Sequence, residues 1–509
     1  MIRLNILVTG TVDERFHRPL QLIANLFFED TNILFADENL DDHSLKVELD
    51  IHADSLIKVQ MALSVPHSEK IYKSSVEKLA APSQNEKEFF KQIKKAVSRA
   101  FLEVLQQYTG IRQQWGFLTG IRPTKLLHKK LRNGISKDEA HEQLKKEYLI
   151  SDEKIRLMEK IVDRQLTVVP DLYQLRNEVS IYIGIPFCPT KCAYCTFPAF
   201  AIQGNHGKVD SFLGGLHYEM EKIGQFLKEN HIKITTIYYG GGTPTSITAE
   251  EMDHLYNQMY RVFPDVKNVR EITVEAGRPD TITPEKLEVL KKWKIDRISI
   301  NPQSYIQNTL KAIGRHHTVK ETIEKFHLAR RMGMNNINMD LIIGLPGEGV
   351  KEFQYSLDET EKLMPESLTI HTLSFKRASV MTKHKDEYPV ASREEAEKMM
   401  KLAQDWTAEH NYVPYYLYRQ KNILGNLENV GYALPGQECI YNILIMEEVQ
   451  TIIGLGCGAA SKFVDPETGK IKRFANPKDP KFYNERYEEY TEKKLQILHQ
   501  LFCKRQPSL

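Results

Sequence analysis

The pattern that most limits how this chain can fold begins at Glu178, where a strand-like run, a loop and a helical segment follow one another six times. The runs are Val179 to Ile185, Ile234 to Tyr239, Glu271 to Glu275, Arg297 to Ile300, Ile337 to Ile343 and Leu368 to Leu373. Strands that alternate with helices read as successive βαβ units sharing a parallel sheet. Six such units predict an α/β fold built on an open, partial (β/α)6 barrel, and barrels of this kind carry their chemistry on the loops that leave the C-terminal ends of the strands.

The first of those loops holds Cys188, Cys192 and Cys195 in Ile185-Pro-Phe-Cys-Pro-Thr-Lys-Cys-Ala-Tyr-Cys-Thr-Phe197. Three thiolates within eight residues can face one metal centre, and without a fourth protein ligand one coordination position stays open. In a 4Fe-4S cluster that means one open iron. Spacing alone leaves other readings standing. Zinc takes a closed set of four ligands, and His206 is near enough in sequence to be the fourth. A disulfide framework belongs to small secreted chains, whereas this one has 509 residues and six cysteines. The three can also be ordinary buried thiols.

Near balance between 69 basic and 67 acidic residues leaves a formal charge of +2, so no global field points to nucleic acid or a membrane surface. Anionic ligands must be met locally. The stretch Met1 to Gly10 lacks a signal-peptide pattern, and no run of about 18 apolar residues predicts a membrane span. The expected compartment is the cytoplasm, whose reducing conditions keep thiols available for iron.

Residues 1–172 read as an N-terminal accessory α/β and helical module. Its strands are expected at Ile2 to Thr9, Ile33 to Ala36, Leu45 to His52 and Ile57 to Leu63, with an amphipathic helix from Glu86 to Tyr108. A helical block from Ser136 to Leu166 has Ser136 and Ser151 as N-caps. The basic run Lys125, Lys129, Lys130 and Arg132, after Trp115-Gly-Phe-Leu-Thr-Gly-Ile-Arg-Pro-Thr124, is read as a solvated helix face in preference to an anion site. Residues 173–390 form the barrel. Residues 391–509, opening with a charged helix from Ser392 to His410, are expected to be a mostly α region that covers the barrel mouth.

Polar groups mark the ends of the later strands. Gly240-Gly-Gly-Thr-Pro-Thr245 follows the second; its glycines let backbone N–H groups approach a ligand, and Thr243 adds a hydroxyl. Glu275, Gln303, Arg315 and Asp340 follow in order. A carboxylate at the end of an apolar strand is costly unless it binds something, and a ribose suits Glu275; Asp340 reads equally as a structural cap. His316 and His317 are expected to be exposed. Cys439, Cys457 and Cys503 lack cluster spacing and read as small buried residues.

Taken together, Tyr182, the cysteine loop, Gly240-Gly-Gly-Thr-Pro244, Val274-Glu275, Arg297-Ile-Ser-Ile-Asn-Pro-Gln-Ser304, Gly314-Arg-His316 and Asp340-Leu-Ile-Ile-Gly-Leu-Pro346 resemble the oxygen-independent coproporphyrinogen III oxidase family of radical S-adenosylmethionine (SAM) enzymes. The likeness covers residues 178 to 380 and, more weakly, extends to Ser461; the segment Trp115 to Lys125 is similar to the HemZ branch of the family. The resemblance implies that Cys188, Cys192 and Cys195 ligate a 4Fe-4S cluster. It implies that Tyr182, Gly241, Gly242, Thr243 and Glu275 hold SAM on the open iron, and that Tyr194, Gln303, Arg315 and Asp340 match positions that hold a second SAM. The implied reaction is oxidative decarboxylation of coproporphyrinogen III to protoporphyrinogen IX in anaerobic haem synthesis, with Arg315 counted among the catalytic set. A low-potential donor such as flavodoxin or ferredoxin is implied as electron source.

Two positions depart from the family's branches. Phe197 stands where the oxidases carry a further cysteine, and Tyr441-Asn-Ile-Leu-Ile-Met446 stands where haem chaperones carry His-Asn-x-x-Tyr-Trp. A haem-trafficking role and a radical reaction on another substrate are therefore alternatives. For the propionates of a porphyrinogen, Arg419 and Lys421 are candidate cations beside Tyr412, Tyr415, Tyr416 and Tyr418, which read equally as an aromatic packing patch.

Overall fold

The computed structural model describes residues 4–28, 31–35, 44–81, 85–120, 122–202, 206–376 and 379–503. The chain divides into two compact units, Met1–Glu159 and Lys160–Leu509. In the first, strands β1 (Leu4–Gly10), β2 (Thr31–Phe35), β3 (Leu45–Ala53), β4 (Leu56–Ser64) and β5 (Ile71–Leu79) form a sheet in the order β2-β1-β3-β4-β5. β3 and β4 alternate between buried and solvent-facing positions. Their inward residues Val47, Leu49, Val59 and Met61 share a core with Val97, Phe101 and Val104 of the helix Glu86–Thr109.

Asn85 caps that helix by accepting from the Lys87 N–H, and Gly110, at φ 73°, ends it in the left-handed conformation. Ser136 and Ser151 cap the next helical stretches, accepting from Glu139 and Lys154 N–H. The sequence reading missed β5. Only Ser74 and Val76 are buried in it, so its alternation is too sparse to see. Ile2 and Ala36, at the ends of expected strands, lie outside the described residues.

In the second unit the six expected strands all form: β6 (Val179–Ile185), β9 (Ile234–Gly241), β10 (Glu271–Val274), β11 (Arg297–Ser299), β12 (Ile337–Ile343) and β13 (Ser367–Thr372). They lie side by side in chain order, each parallel to the next, with helices in the connections. This is the wall of an open (β/α)6 barrel. Between the first two, the short strands β7 (Phe187–Cys188) and β8 (Phe200–Ala201) pair and close the cysteine loop on itself.

The C-terminal region is mostly helical, as expected, and it also extends the barrel sheet. Besides the helices Arg393–Glu409, Ile440–Glu447 and Pro480–Phe502 it contributes β14 (Val413–Tyr418), β15 (Asn429–Ala433), β16 (Thr451–Gly456), β17 (Ala460–Val464) and β18 (Ile471–Ala475), all in the barrel sheet. The full order is β14-β15-β13-β12-β11-β10-β9-β6-β16-β17-β18. The strands on either side of residue 390 thus share one sheet within the unit Lys160–Leu509. The reason is long-range pairing: β16 lies parallel to β6 from Thr451–Val179 to Gly456–Gly184, and no local signal announces a partner so distant in sequence.

A buried ion pair fixes this arrangement. Glu219, on the helix His206–Glu229, accepts from the Lys494 ammonium, the Gly456 N–H, Asn476 and the Tyr483 hydroxyl. Lys494 also donates to the Gly454 carbonyl at 2.9 Å. Both charges are fully buried, so removing one leaves the other uncompensated. Lys494→Met should cost on the order of 3–5 kcal/mol in denaturant unfolding, and adding Glu219→Gln should return a large part of that loss. A single-variant loss below about 1 kcal/mol would show that the pair is dispensable.

Candidate functional site

The cysteine loop leaves β6 and is held on every side. Within it, Phe200 N–H donates to Pro186 O and Cys195 N–H to Cys192 O. Outward, Ala193 N–H donates to Ile313 O, Thr190 Oγ1 to Gly314 O at 3.1 Å, and Gly242 and Thr243 N–H to Ile185 and Phe187 O, both at 2.7 Å. The glycine run therefore does something the sequence reading did not foresee. A Cβ on Gly242 would sit 2.5 Å from the Phe187 carbonyl oxygen, so the absent side chain lets the turn dock on the cysteine strand. Gly241 has a φ of 108°, which glycine adopts without strain. At the far side, a Cβ on Gly458 would meet Pro198 at 2.5 Å, and the loop after β16 packs on the same segment.

The three thiols are shielded and lie within electrostatic reach of one another. Burial pushes Cys188 up to about 11, against the Thr243 hydroxyl 3.3 Å from its sulfur; burial also raises Cys195. Without metal Cys188 and Cys195 are protonated thiols, so a bound metal must displace their protons. Among the described residues no three His, Cys, Asp or Glu side chains group around a single ion. The His206 side chain lies outside the described residues.

The other candidates ring the same strand ends. Tyr182 on β6, Tyr238 on β9 and Tyr441 on the helix Ile440–Glu447 stack face to face, the last two with centroids 4.3 Å apart. The Tyr238 hydroxyl donates to Glu275. Burial, then the like charge of Asp340, pushes Glu275 to about 7, against the pull of Tyr238 and His371. Asp340 accepts from Asn338 at 2.8 Å and faces His371 at 3.4 Å, whose other nitrogen meets Tyr418 at 3.1 Å. Gln303, at φ 67°, donates its N–H to the Asp340 carbonyl. Arg315 reaches Tyr194 at 3.4 Å and the carbonyls of Gly277 and Asn301.

Four buried atoms here, Ser299 Oγ, Asn301 Oδ1, Gln303 Oε1 and Arg315 Nε, have no hydrogen-bond partner among the described residues. A polar ligand would satisfy them, and two carboxylates held near each other call for one that carries hydroxyls or positive charge.

His317 corrects an expectation. His316 is exposed, but His317 is buried, and burial with Arg315 and Arg278 nearby pushes it down to about 3, so it is a neutral core imidazole. Arg419 is buried with its guanidinium on Asn426, while Lys421 is exposed. Of the tyrosines near them, Tyr412 and Tyr416 bond Pro365 and Thr369, and only Tyr418 joins the His371 chain. Phe197 is exposed at 57%. Cys439, Cys457 and Cys503 bond Glu271, the Pro477 carbonyl and Asn230 respectively. Sequence reasoning assigned no role to Arg278, three residues beyond Glu275, to Asn301, one beyond the expected strand Arg297 to Ile300, or to His371, inside the expected strand Leu368 to Leu373.

Residues 182–359 match the family model of the Radical SAM superfamily. Fold and loop together thus define a radical SAM protein. The chain is 67% identical over 501 residues, 98% of its length and 99% of the relative's, to the oxygen-independent coproporphyrinogen-III oxidase-like protein HemZ of Bacillus subtilis. It is 31% identical to the heme chaperone HemW of the same organism, over 55% of this chain and 70% of that one. The solved coproporphyrinogen III oxidase HemN of Escherichia coli shares the fold at a TM-score of 0.51 and 19% identity, over 64% of this chain and 72% of that one. The chain belongs to the HemZ family of oxygen-independent coproporphyrinogen-III oxidase-like proteins.

The raised Glu275 carboxyl has a consequence for stability. Its native pKa lies above the ordinary 4.5, so the folded state holds a proton that the unfolded state releases between 4.5 and about 7. Stability falls across that window and stays lower above it, by roughly 3 kcal/mol for this group. Glu275→Gln should melt higher than the parent at pH 8 and show a shallower decline from pH 5 to 8; Glu348, which burial also pushes to about 7, contributes to the residual slope. An unchanged slope would show that Glu275 is already ionised in the native protein.

Proposed function

We propose that this protein is a radical SAM oxidoreductase that decarboxylates coproporphyrinogen III to protoporphyrinogen IX in cytoplasmic, anaerobic haem synthesis. The observation that carries the reading is the meeting, at one barrel rim, of one buried and two half-buried thiols with a set of buried polar atoms that lack a hydrogen-bond partner among the described residues. A relative at 67% identity that bears an oxidase-like name supports the substrate class. A bound 4Fe-4S cluster and SAM would supply radical chemistry at the propionate side chains, with an electron drawn from a donor such as flavodoxin or ferredoxin.

In this reading Cys188, Cys192 and Cys195 hold the cluster. Tyr182, Gly241, Gly242, Thr243 and Glu275 form the SAM seat. The two glycines fix the turn against β6, and Glu275 accepts from ribose hydroxyls in place of Tyr238. Tyr194, Gln303, Arg315 and Asp340 make up a second polar seat, where the open Nε of Arg315 suits a carboxylate. Thr243, Gln303 and Arg315 are buried among them, which limits access of water to the seat. The haem-carrier alternative draws on the likeness to HemW, but Tyr441, at the chaperone-histidine position, is committed to the tyrosine stack.

Anaerobically reconstituted protein should bind about four irons with thiolate-to-iron absorption that bleaches on reduction. Alanine at Cys188, Cys192 or Cys195 should abolish the cluster, while Cys457→Ala should retain it. With reductant, SAM and coproporphyrinogen III, release of CO2 should accompany 5′-deoxyadenosine formation, and Arg315→Ala should lower turnover at least tenfold with iron content intact. Stoichiometric haem binding with no substrate-dependent CO2 would replace this reading with the carrier.

A further inference from the structure

Arg278 stands out among residues that neither motif nor family pattern marked. It follows β10 in Glu275-Ala-Gly-Arg278, its side chain is almost wholly buried, and its Nη1 lies 3.9 Å from Cys192 Sγ and 3.1 Å from Thr190 Oγ1. Asp280 clamps the other edge of the guanidinium through Nε at 3.0 Å and Nη2 at 2.8 Å. The planar fork is thereby held with Nη1 toward the sulfur. Thr190 in turn donates to the Gly314 carbonyl, so the contact also ties the cysteine loop to the turn that carries Arg315.

A guanidinium does not lose its proton, so this is a permanent positive charge inside the protein beside one metal-ligating thiol. We infer that Arg278 sets the reduction potential of the cluster by stabilising, through Cys192, the extra negative charge that the cluster gains when it takes one electron; Asp280 both aims this charge and partly offsets it. The inference rests on the cluster reading proposed above. The electron comes from the low-potential donor and passes to the oxidised cluster; no bond is made or broken, and Arg278 keeps its protons. Hydrogen bonds and net charge around cluster sulfurs are the protein's chief means of tuning such potentials.

The test is a redox titration of the reconstituted full-length protein, with iron content and the electron paramagnetic resonance signal of the reduced cluster as readouts. Arg278→Met should keep about four irons yet shift the midpoint negative by at least a tenfold change in the reduction equilibrium, about 59 mV for one electron. Arg278→Lys should recover part of that shift. Asp280→Asn should move the midpoint the opposite way, because it removes the offsetting negative charge. Full iron content with unmoved midpoints in Arg278→Met and Asp280→Asn overturns the inference and leaves the cluster reading intact. Iron lost from all three variants would make Arg278 a structural residue and overturns it too. A parent protein with no cluster sinks both.

Discussion

The buried carboxylate of Glu219 is the constraint on which the rest of the barrel unit depends. It satisfies an ammonium and a hydroxyl from the helix Pro480–Phe502, the Asn476 amide and the Gly456 backbone N–H at once. Its hold on Gly456 sets β16 against β6, so close that a Cβ at Gly456 would sit 2.3 Å from the Gly184 carbonyl oxygen. β6 in turn delivers the cysteine loop. A charge buried this deeply is tolerable only with complete compensation, so the C-terminal helix, β16 and the first barrel helix must assemble together. The cysteine loop inherits its position from that assembly.

At the other end of the strands the charges are sorted by sign. Arg278 faces Cys192, and Lys376 and Lys191 act on Cys195, so the thiols sit on a cationic side. Glu275 and Asp340 form an acidic side behind the tyrosine stack, linked through His371 to Tyr418. Arg315 stands between, spending two of its donors on backbone carbonyls and keeping one open. In a medium of low polarity such sorting acts strongly on whatever binds, because little water is present to screen it. A ligand with a carboxylate at one end and hydroxyls at the other would meet both sides with complementary groups.

The glycines show how a residue type can be legible while its purpose is not. Gly241 and Gly242 were marked as places where backbone meets ligand. In the fold, their missing side chains first make room for Ile185 and Phe187. Gly458 and Gly456, in a loop that the sequence leaves without a role, do the same for Pro198 and Gly184. Close approach of two backbones leaves the same mark in sequence as close approach of a backbone to a small molecule.

What the sequence determined by itself was the local and the periodic: six strands in order, the helix Glu86–Thr109, the serine caps, the cysteine spacing and the polar residues at strand ends. These follow from burial patterns and short-range hydrogen bonds, which operate within a few residues of chain. Only the tertiary structure decided that residues 391–509 extend the barrel sheet, that His317 is a neutral core residue, and that Arg278 and His371 join the site. Each depends on a partner far off in the chain: β16 on β6, His317 on Arg278, His371 on Asp340. A strand pairing or a charge contact has no signature in one segment alone, because its free energy arises only when both segments have been folded against each other.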